Sequence, residues 1–311
     1  MSSEVIDRGN VTILLSTYNG SKFLRQQLNS LFQQTYPNIQ ILVRDDGSTD
    51  STQVILEEEQ TNGRIKILED HGNLGVAPSF FALLKFAATT KTEYVAFCDQ
   101  DDVWHPEKIS HAVSALAHVA VDHPAMYCSR VEIVNSYLKH IGYTAPPRKI
   151  GFGNALVENI ATGCTIVLNS VALHLIGKNL PNKSVNHDWW CYLVMSCFGE
   201  VIYDSTAMLK YRQHKGNTIG LATNALNQFI KRCHRFFGGN EDHLRMSRQA
   251  LCFRDIYKDR IPVSDQQVLD NFIAAKTAWY SRLQLAFSNE IWRQKWIDNM
   301  LLRLLILFNR Y

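Results

Sequence analysis

The sequence predicts an α/β domain, built on a mostly parallel sheet flanked by helices, with a C-terminal helical extension. Three observations predict it. Short apolar, β-rich runs alternate with helically spaced segments between residues 11 and 98, the pattern of successive βαβ units. Clusters of polar residues follow several of those runs directly. From Leu221 onward the spacing is helical to the end.

Val11–Leu15 reads as the first strand and runs into Ser-Thr-Tyr-Asn-Gly. Lys22–Gln34 sets Phe23, Leu24, Gln27, Leu28, Leu31 and Phe32 at helical spacing until Tyr36-Pro37-Asn38 breaks it. Ile39–Val43 is a second strand, and a helix begins near Ser51, with Ser48 or Asp50 as its natural cap. Arg64–Leu68, Ala77–Thr89 and Tyr94–Cys98 continue as strand, helix and strand. Lys108 to His118 is a helix and Met126–Ser129 a short strand. Gly142 to Gly153 reads as a mobile loop and Ile160–Leu168 as a strand. An apolar helix follows His187-Asp188-Trp189-Trp190, and Glu200–Tyr203 is the last strand. The division expected is a domain over 1–220 and a helical extension over 221–311.

At 311 residues, 46% hydrophobic and 20% charged, the chain suits one large domain with an appendage, or two domains. A net charge of +3 gives no argument for nucleic acid as a partner. From Leu221 onward 14 Lys and Arg stand against 8 Asp and Glu, a surplus of +6, so the first 220 residues carry −3. The seven cysteines are odd in number, scattered and never in CxxC spacing. They read as buried free thiols in a reducing cytoplasm, with no zinc site. The N-terminus lacks an apolar h-region, and no run approaches 18 apolar residues, so neither a signal peptide nor a membrane span is expected.

In parallel sheets ligands gather beyond the carboxyl ends of the strands. Ser16–Asn19, Asp45-Asp46 and Asp99–Asp102 fall at such ends and are expected to converge. Asp99 and Asp101, two apart in a turn, are able to share a divalent cation with phosphate oxygens. An isolated pair of this kind is also an ordinary polar turn with a helix cap. A carboxylate such as Asp46 is able to accept the ring N–H of a pyrimidine, and Tyr18 to supply an aromatic face. Asp45-Asp46-Gly47-Ser48 reads equally as an Asx-turn.

STYN at 16–19, RDDGSTDST at 44–52, HGNLG at 71–75, FCDQDDVWHPEK at 97–108, TGC at 162–164, HDWW at 187–190 and YRQHKGN at 211–217 occur in one order. In this the chain resembles family-2 nucleotide-sugar glycosyltransferases of the GT-A fold, particularly bacterial rhamnosyltransferases of surface-polysaccharide assembly. The resemblance covers roughly Val11 to Gly220. It implies that Ser16, Tyr18 and Asp46 surround the nucleotide, with Asp45 supporting the pocket and Asn73 and Gly75 beside the donor. It puts Gly163 and Arg212 with the donor as well. Asp99 and Asp101 become a DxD metal pair, joined by His214, with Asp102 anchoring the loop. The metal is Mg²⁺ or Mn²⁺, and the donor dTDP-L-rhamnose, with UDP-sugars as the alternative. Asp188 falls at the catalytic base, and Trp189 and Trp190 suit the faces of an acceptor sugar. Many relatives carry Glu before that Asp, where this chain has His187.

An inverting transferase then moves a sugar to a glycan or lipid-linked saccharide. A nucleotidyltransferase would show an N-terminal Gly-rich loop with Arg and Lys, which is missing before the first helix. A non-catalytic sugar- or nucleotide-binding module would have no need of Asp188. In the tail, Trp292, Trp296, Met300, Leu301, Leu304, Leu305 and Phe308 recur at helical spacing among Arg293, Lys295, Arg303 and Arg310. Such a helix either lies in an anionic membrane interface, packs on its neighbours or forms a dimer seam. The expected location is cytoplasmic, with peripheral contact at the inner face of the membrane as a further expectation.

Overall fold

The computed structural model describes residues 9–70, 72–181, 185–214 and 245–311. His71, the Lys215-Gly216-Asn217 end of the last motif and the expected helix start over 221–244 lie outside the described residues. The chain forms two compact units that are not contiguous in sequence. Residues 1–146, 161–180 and 199–214 make the first; residues 147–160, 181–198 and 215–311 make the second. The expected boundary after residue 220 lies outside the described residues.

The strands all belong to the first unit. In chain order they are β1 (Val11–Thr17), β2 (Ile39–Asp45), β3 (Lys66–Ile67), β4 (Tyr94–Cys98), β5 (Val103–Trp104) and β6 (Ala125–Ser129). Then come β7 (Glu132–Asn135), β8 (His140–Tyr143), β9 (Val167–Asn169), β10 (Glu200–Asp204) and β11 (Leu209–Gln213). Its helices are α1 (Ser21–Phe32), α2 (Thr52–Thr61), α3 (Val76–Ala87), α4 (Lys108–Leu116) and, after α5 (Phe152–Ala155) of the second unit, α6 (Ser170–Gly177). The second unit adds α7 (His187–Phe198), α8 (Arg245–Tyr257), α9 (Val263–Ala274), α10 (Trp279–Phe287) and α11 (Trp296–Leu307).

The main sheet has the order β10-β6-β9-β4-β1-β2-β3. Only β9 runs antiparallel, between β4 and β6. The mostly parallel sheet is therefore as expected. Its strands are rich in fully buried Val, Ile and Leu because helices cover them. Leu24, Leu28 and Leu31 of α1 share one apolar cluster with Ile13 and Leu15 of β1 and Ile41 and Val43 of β2. A second sheet, β5-β11-β7-β8, carries the segment after Asp102 and the YRQH strand side by side.

The structure departs from the sequence expectations in three places. Ile160–Leu168 is no single strand: Gly163–Thr165 forms a 3₁₀ turn, and only Val167–Asn169 is extended. The Thr165 hydroxyl donates to Thr162 O at 2.7 Å, a local bond that competes with the ladder. The Gly142 to Gly153 stretch starts in β8 and ends in α5. Its glycine at 153 serves close approach, since a Cβ there would lie 1.8 Å from Glu290 O. The strand expected over 64–68 shrinks to Lys66–Ile67 at the sheet edge. No helix among the described residues is long and apolar enough to cross a membrane.

Candidate active site

Register explains why the polar clusters meet. Thr17 pairs with Asp45 across β1 and β2, and Leu15 with Cys98 across β1 and β4. Tyr18–Asn19, Asp46 and Asp99–Asp102 therefore leave the sheet at one edge, the carboxyl edge where parallel sheets hold ligands.

Asp45 builds the turn at the end of β2. Its Oδ2 accepts Ser48 N at 2.9 Å, and its Oδ1 accepts the hydroxyls of Ser48 and Thr17 at 2.6 and 2.8 Å. Gly47 closes that turn at φ 83°, a left-handed conformation that favours glycine. Asp50 ties the turn to two helices, accepting Ser21 N and Thr52 N. Burial pushes its carboxyl up, yet the hydrogen bonds from Ser21 and Thr52 win and hold it at about 2.

Asp46 is buried and fully engaged by protein. Leu74 N and Gly75 N donate to its two oxygens at 2.7 and 2.8 Å, and Arg44 pairs with it. Asp46, which the resemblance sets at the nucleotide, holds the 72–75 loop here. A negative charge beside the N-terminus of α3 also suits the helix dipole. Arg44 is fully buried and holds Asp46, Asp70, Ser79 Oγ and Gly72 O together. Ser16 meets the same Ser79 hydroxyl at 2.7 Å. Gly75 turns at φ 85° into α3, and Asn73 is exposed on this loop.

Gln100, between the two aspartates of the DxD, joins β4 to β1. Its amide accepts from Tyr18 N at 2.9 Å and donates to Tyr18 O at 3.0 Å. The Tyr18 ring remains 48% exposed at the edge, available for stacking. Asp101 Oδ2 lies 2.7 Å from His214 Nε2. Asp102 is fully buried, and its Oδ1 accepts Arg212 N at 3.0 Å.

Arg212 takes a different part from the one expected. It is 1% exposed, so it is no surface residue. Its guanidinium donates to Asp101 O, Ser136 O and Gln26 Oε1 and lies 4.4 Å from the centre of the Phe23 ring. It supports the Asp99–Asp102 turn from behind, with Nε, Nη1 and Nη2 all donating to protein. Gly163 begins the 3₁₀ turn that sets Cys164 beside the aspartates.

Two donor sets could take a divalent cation: Asp101 with His214, and Asp99 with Asp102 and Cys164. Asp99, Asp102 and Cys164 offer ligand atoms all within 4.8 Å of one another. Asp102 Oδ2 is buried without a conventional hydrogen-bond donor among the described residues. Burial and the charges of Asp101 and Asp99 drive its pKa well up. Three carboxylates in one turn repel, and a hard cation with oxygen ligands relieves that load.

Asp188, Trp189 and Trp190 belong to the second unit. Asp188 opens α7, where Trp189 N donates to its Oδ1 at 2.7 Å. Burial nevertheless pushes its pKa up to about 6. The neighbouring His187 is buried, and burial pulls its pKa down to about 3, so it is neutral. Trp189 is half-buried and donates through Nε1 to Ala155 O at 2.6 Å. Trp190 is fully buried and packs edge-on against Phe253. It is core, and the expectation that it contacts an acceptor is corrected.

Sequence reasoning missed Arg44, Gln100 and Cys164 as members of this site. Arg44 did carry a signal, a charge at the end of an otherwise apolar strand. Gln100 and Cys164 lay inside the quoted FCDQDDVWHPEK and TGC motifs, but their partners sit far along the chain.

The family model described as glycosyl transferase family 2 matches residues 12–167. The chain belongs to that family. This family 2 glycosyl transferase is 26% identical to the dTDP-rhamnosyl transferase RfbG of Shigella flexneri, over 95% of this chain and 99% of that protein. It is 32% identical to the UDP-Glc:alpha-D-GlcNAc-diphosphoundecaprenol beta-1,3-glucosyltransferase WfgD of Escherichia coli, over 58% of this chain and 68% of that one. Among solved structures it is similar to S. aureus TarS 1-349 in complex with UDP-GlcNAc. The TM-score is 0.55 at 16% identity, covering 97% and 93% of the two chains. The architecture is thus the GT-A one, a mainly parallel sheet flanked by helices.

Proposed function

We propose that this glycosyl transferase is metal-dependent and inverting, moving L-rhamnose from dTDP-L-rhamnose to a glycan or lipid-linked saccharide in bacterial surface-polysaccharide assembly. The single observation that carries the donor half is the gathering of Tyr18, the 72–75 loop and Asp99–Asp102 at one sheet edge, braced by Gln100, Arg44 and Arg212. The rhamnosyl donor is supported by the similarity to RfbG along nearly the whole chain. A UDP-hexose or UDP-N-acetylhexosamine donor is the second reading, favoured by the higher identity to WfgD. The reaction would take place at the inner face of the cytoplasmic membrane.

In this reading Tyr18 stacks on the base, and Asp99 and Asp101 with His214 would hold the cation. When bound, that cation supplies positive charge to the diphosphate leaving group. Asp188 takes the proton of the acceptor hydroxyl as its oxygen bonds to the anomeric carbon. The anomeric C–O bond to the diphosphate breaks in the same displacement, and the nucleoside diphosphate leaves. A carboxylate with a pKa near 6 suits a base working near neutral pH, since it is ionised there yet still basic.

Calorimetric titration of dTDP and UDP, each with and without Mg²⁺, into the wild type and Asp101→Asn tests the donor half. Metal-dependent binding that prefers dTDP and disappears in the variant supports the proposal. Preference for UDP moves the donor to the second reading. No metal-dependent binding of either nucleotide by the folded protein overturns the donor site.

A further inference from the structure

The helices α10 and α11 of the second unit pack against each other. Each leaves a stripe of large apolar residues in solvent at the same spacing. On α10 these are Trp279, Tyr280, Leu283 and Phe287; on α11 they are Trp296, Ile297, Met300 and Leu304. In both, positions i, i+1, i+4 and i+8 fall on one face. The exposure is large: Trp279 is 68% exposed, Phe287 80% and Trp296 67%. The opposite faces supply the core through Leu285, Leu302 and Ile306. Arg303 locks the pair by donating to Leu285 O, Ser288 O and Ile291 O. The stripes are thus what remains after the helices have satisfied each other.

A basic cradle stands at the foot of α11. Two depressions of about 290 Å³ each share Arg148 and Gln294. Their other lining residues are Lys149, Trp292, Arg293, Lys295, Trp296 and Ile297, which makes four cations in the lining, with the Glu158 carboxylate behind them accepting Gln294 N at 2.6 Å. The backbone that carries two of them is fixed. Gln294 accepts Arg148 N at 2.7 Å and donates to Lys149 O at 2.7 Å, while the Lys149 ammonium sits 4.0 Å from the Trp292 ring centre. Lys295 caps α11 directly before its exposed Trp296.

We infer that α10, α11 and this cradle form a docking surface for an anionic phospholipid bilayer, with a lipid phosphate seated among Arg148, Lys149 and Lys295. The charge decides the occupant. Residues 276–311 carry six Lys and Arg against Glu290 and Asp298. A second copy pairing through the same face would set cations against cations, whereas an acidic lipid surface complements them. The aromatic content agrees, because Trp and Tyr prefer the headgroup level, where the ring is apolar and its N–H or O–H stays wet. The sequence pointed to the α11 stripe alone. The α10 stripe and the cradle come from tertiary structure. The inference rests on the proposed function only for which side of the membrane is met.

Co-sedimentation of the full chain with vesicles tests it, without donor or metal. Binding to phosphatidylcholine vesicles containing phosphatidylglycerol, and little to phosphatidylcholine alone, is expected. Phe287→Ala with Trp296→Ala should lower the partition at least ~tenfold. Arg148→Ala with Lys149→Ala should lower it about fivefold per charge and erase the preference for the acidic lipid. All four side chains are exposed, and nucleotide titration of the same variants should be unchanged, which separates this test from that of the donor site. Equal binding to both vesicle types, or none, overturns the inference. So does a dimer seen by light scattering that Phe287→Ala with Trp296→Ala dissolves, which would make a second copy the occupant.

Discussion

His214 Nε2 lies 2.7 Å from Asp101 Oδ2, across 113 residues of sequence. The Phe23 ring, 4.8 Å away between centroids, fixes the imidazole against that carboxylate. A YRQH strand and a DxD turn are thereby joined in the first unit, and the pair can open toward a cation as a carboxylate and an imidazole ligand.

His214→Ala should therefore weaken metal-dependent nucleotide binding by roughly tenfold or more. Binding measured without metal should hardly change, and so should the thermal midpoint. Calorimetry with Mg²⁺ and with chelator reads both. An equal loss under the two conditions would show that His214 serves only to pack the loop.

Asp188 has its pKa raised by burial from 3.8 to about 6. As a base it works ionised, so kcat/KM should climb with pH through about 6 and level off above it. Asp188→Asn should cost about 10²–10⁴-fold in rate and leave nucleotide binding intact. The linkage runs the other way for stability. The folded state keeps a proton that the unfolded chain has lost between about pH 4 and 6, so stability falls as pH rises through that window. Asp188→Asn should accordingly be more stable than the wild type at pH 7, by on the order of 1–3 kcal/mol, and equal to it at pH 4. Urea titrations at both pH values check the sign, and a variant less stable at pH 7 would refute it.

A Cβ at Gly20 would fall 2.0 Å from Gln100 Oε1, the atom that accepts Tyr18 N. Gly20→Ala should expel Gln100 and release the Tyr18 backbone, weakening nucleotide binding by about tenfold, the equivalent of one lost hydrogen bond. Gln100→Ala should do the same. In the double variant the clash has no partner, so the two losses should fall well short of adding. A double-mutant cycle on nucleotide affinity decides it, and simple additivity would count against the contact.

Arg44 is buried with Asp46 and Asp70 as its ionic partners. Arg44→Met strands the buried Asp46 charge and should cost about 3–5 kcal/mol. Denaturant unfolding should show the midpoint falling with an unchanged slope. A loss under about 1 kcal/mol would mean that the backbone donors Leu74 and Gly75 satisfy Asp46 unaided.

Much of the first unit was legible because its signals are local. The runs at Val11–Leu15, Ile39–Val43 and Tyr94–Cys98 are buried on both faces, and such strands announce themselves as continuous apolar segments. The turn at Asp45–Ser48 was legible for the same reason, since the bonds between Asp45 and Ser48 lie within four residues. The small sheet of β5, β7, β8 and β11 was not, because short half-exposed strands lack a continuous apolar run and depend on partners far along the chain. Trp190 shows the limit on the site side. Beside Trp189 in sequence it looks like a second sugar platform, but it lies about 100° further round α7 and packs into Phe253 and Tyr257.

By itself the sequence determined the order of the parallel βαβ units, the carboxylates at their ends and an amphipathic helix near the C-terminus, all consequences of periodicity and residue chemistry over short spans. Only the tertiary structure decided how those carboxylates are spent. Asp46 went to a loop backbone, Asp102 into the core and Asp101 to His214 because each was nearest to donors supplied by distant segments. The interleaving of residues 147–160 and 181–198 with the C-terminal helices has the same origin. Apolar surface is buried wherever shape permits, without regard to distance along the chain.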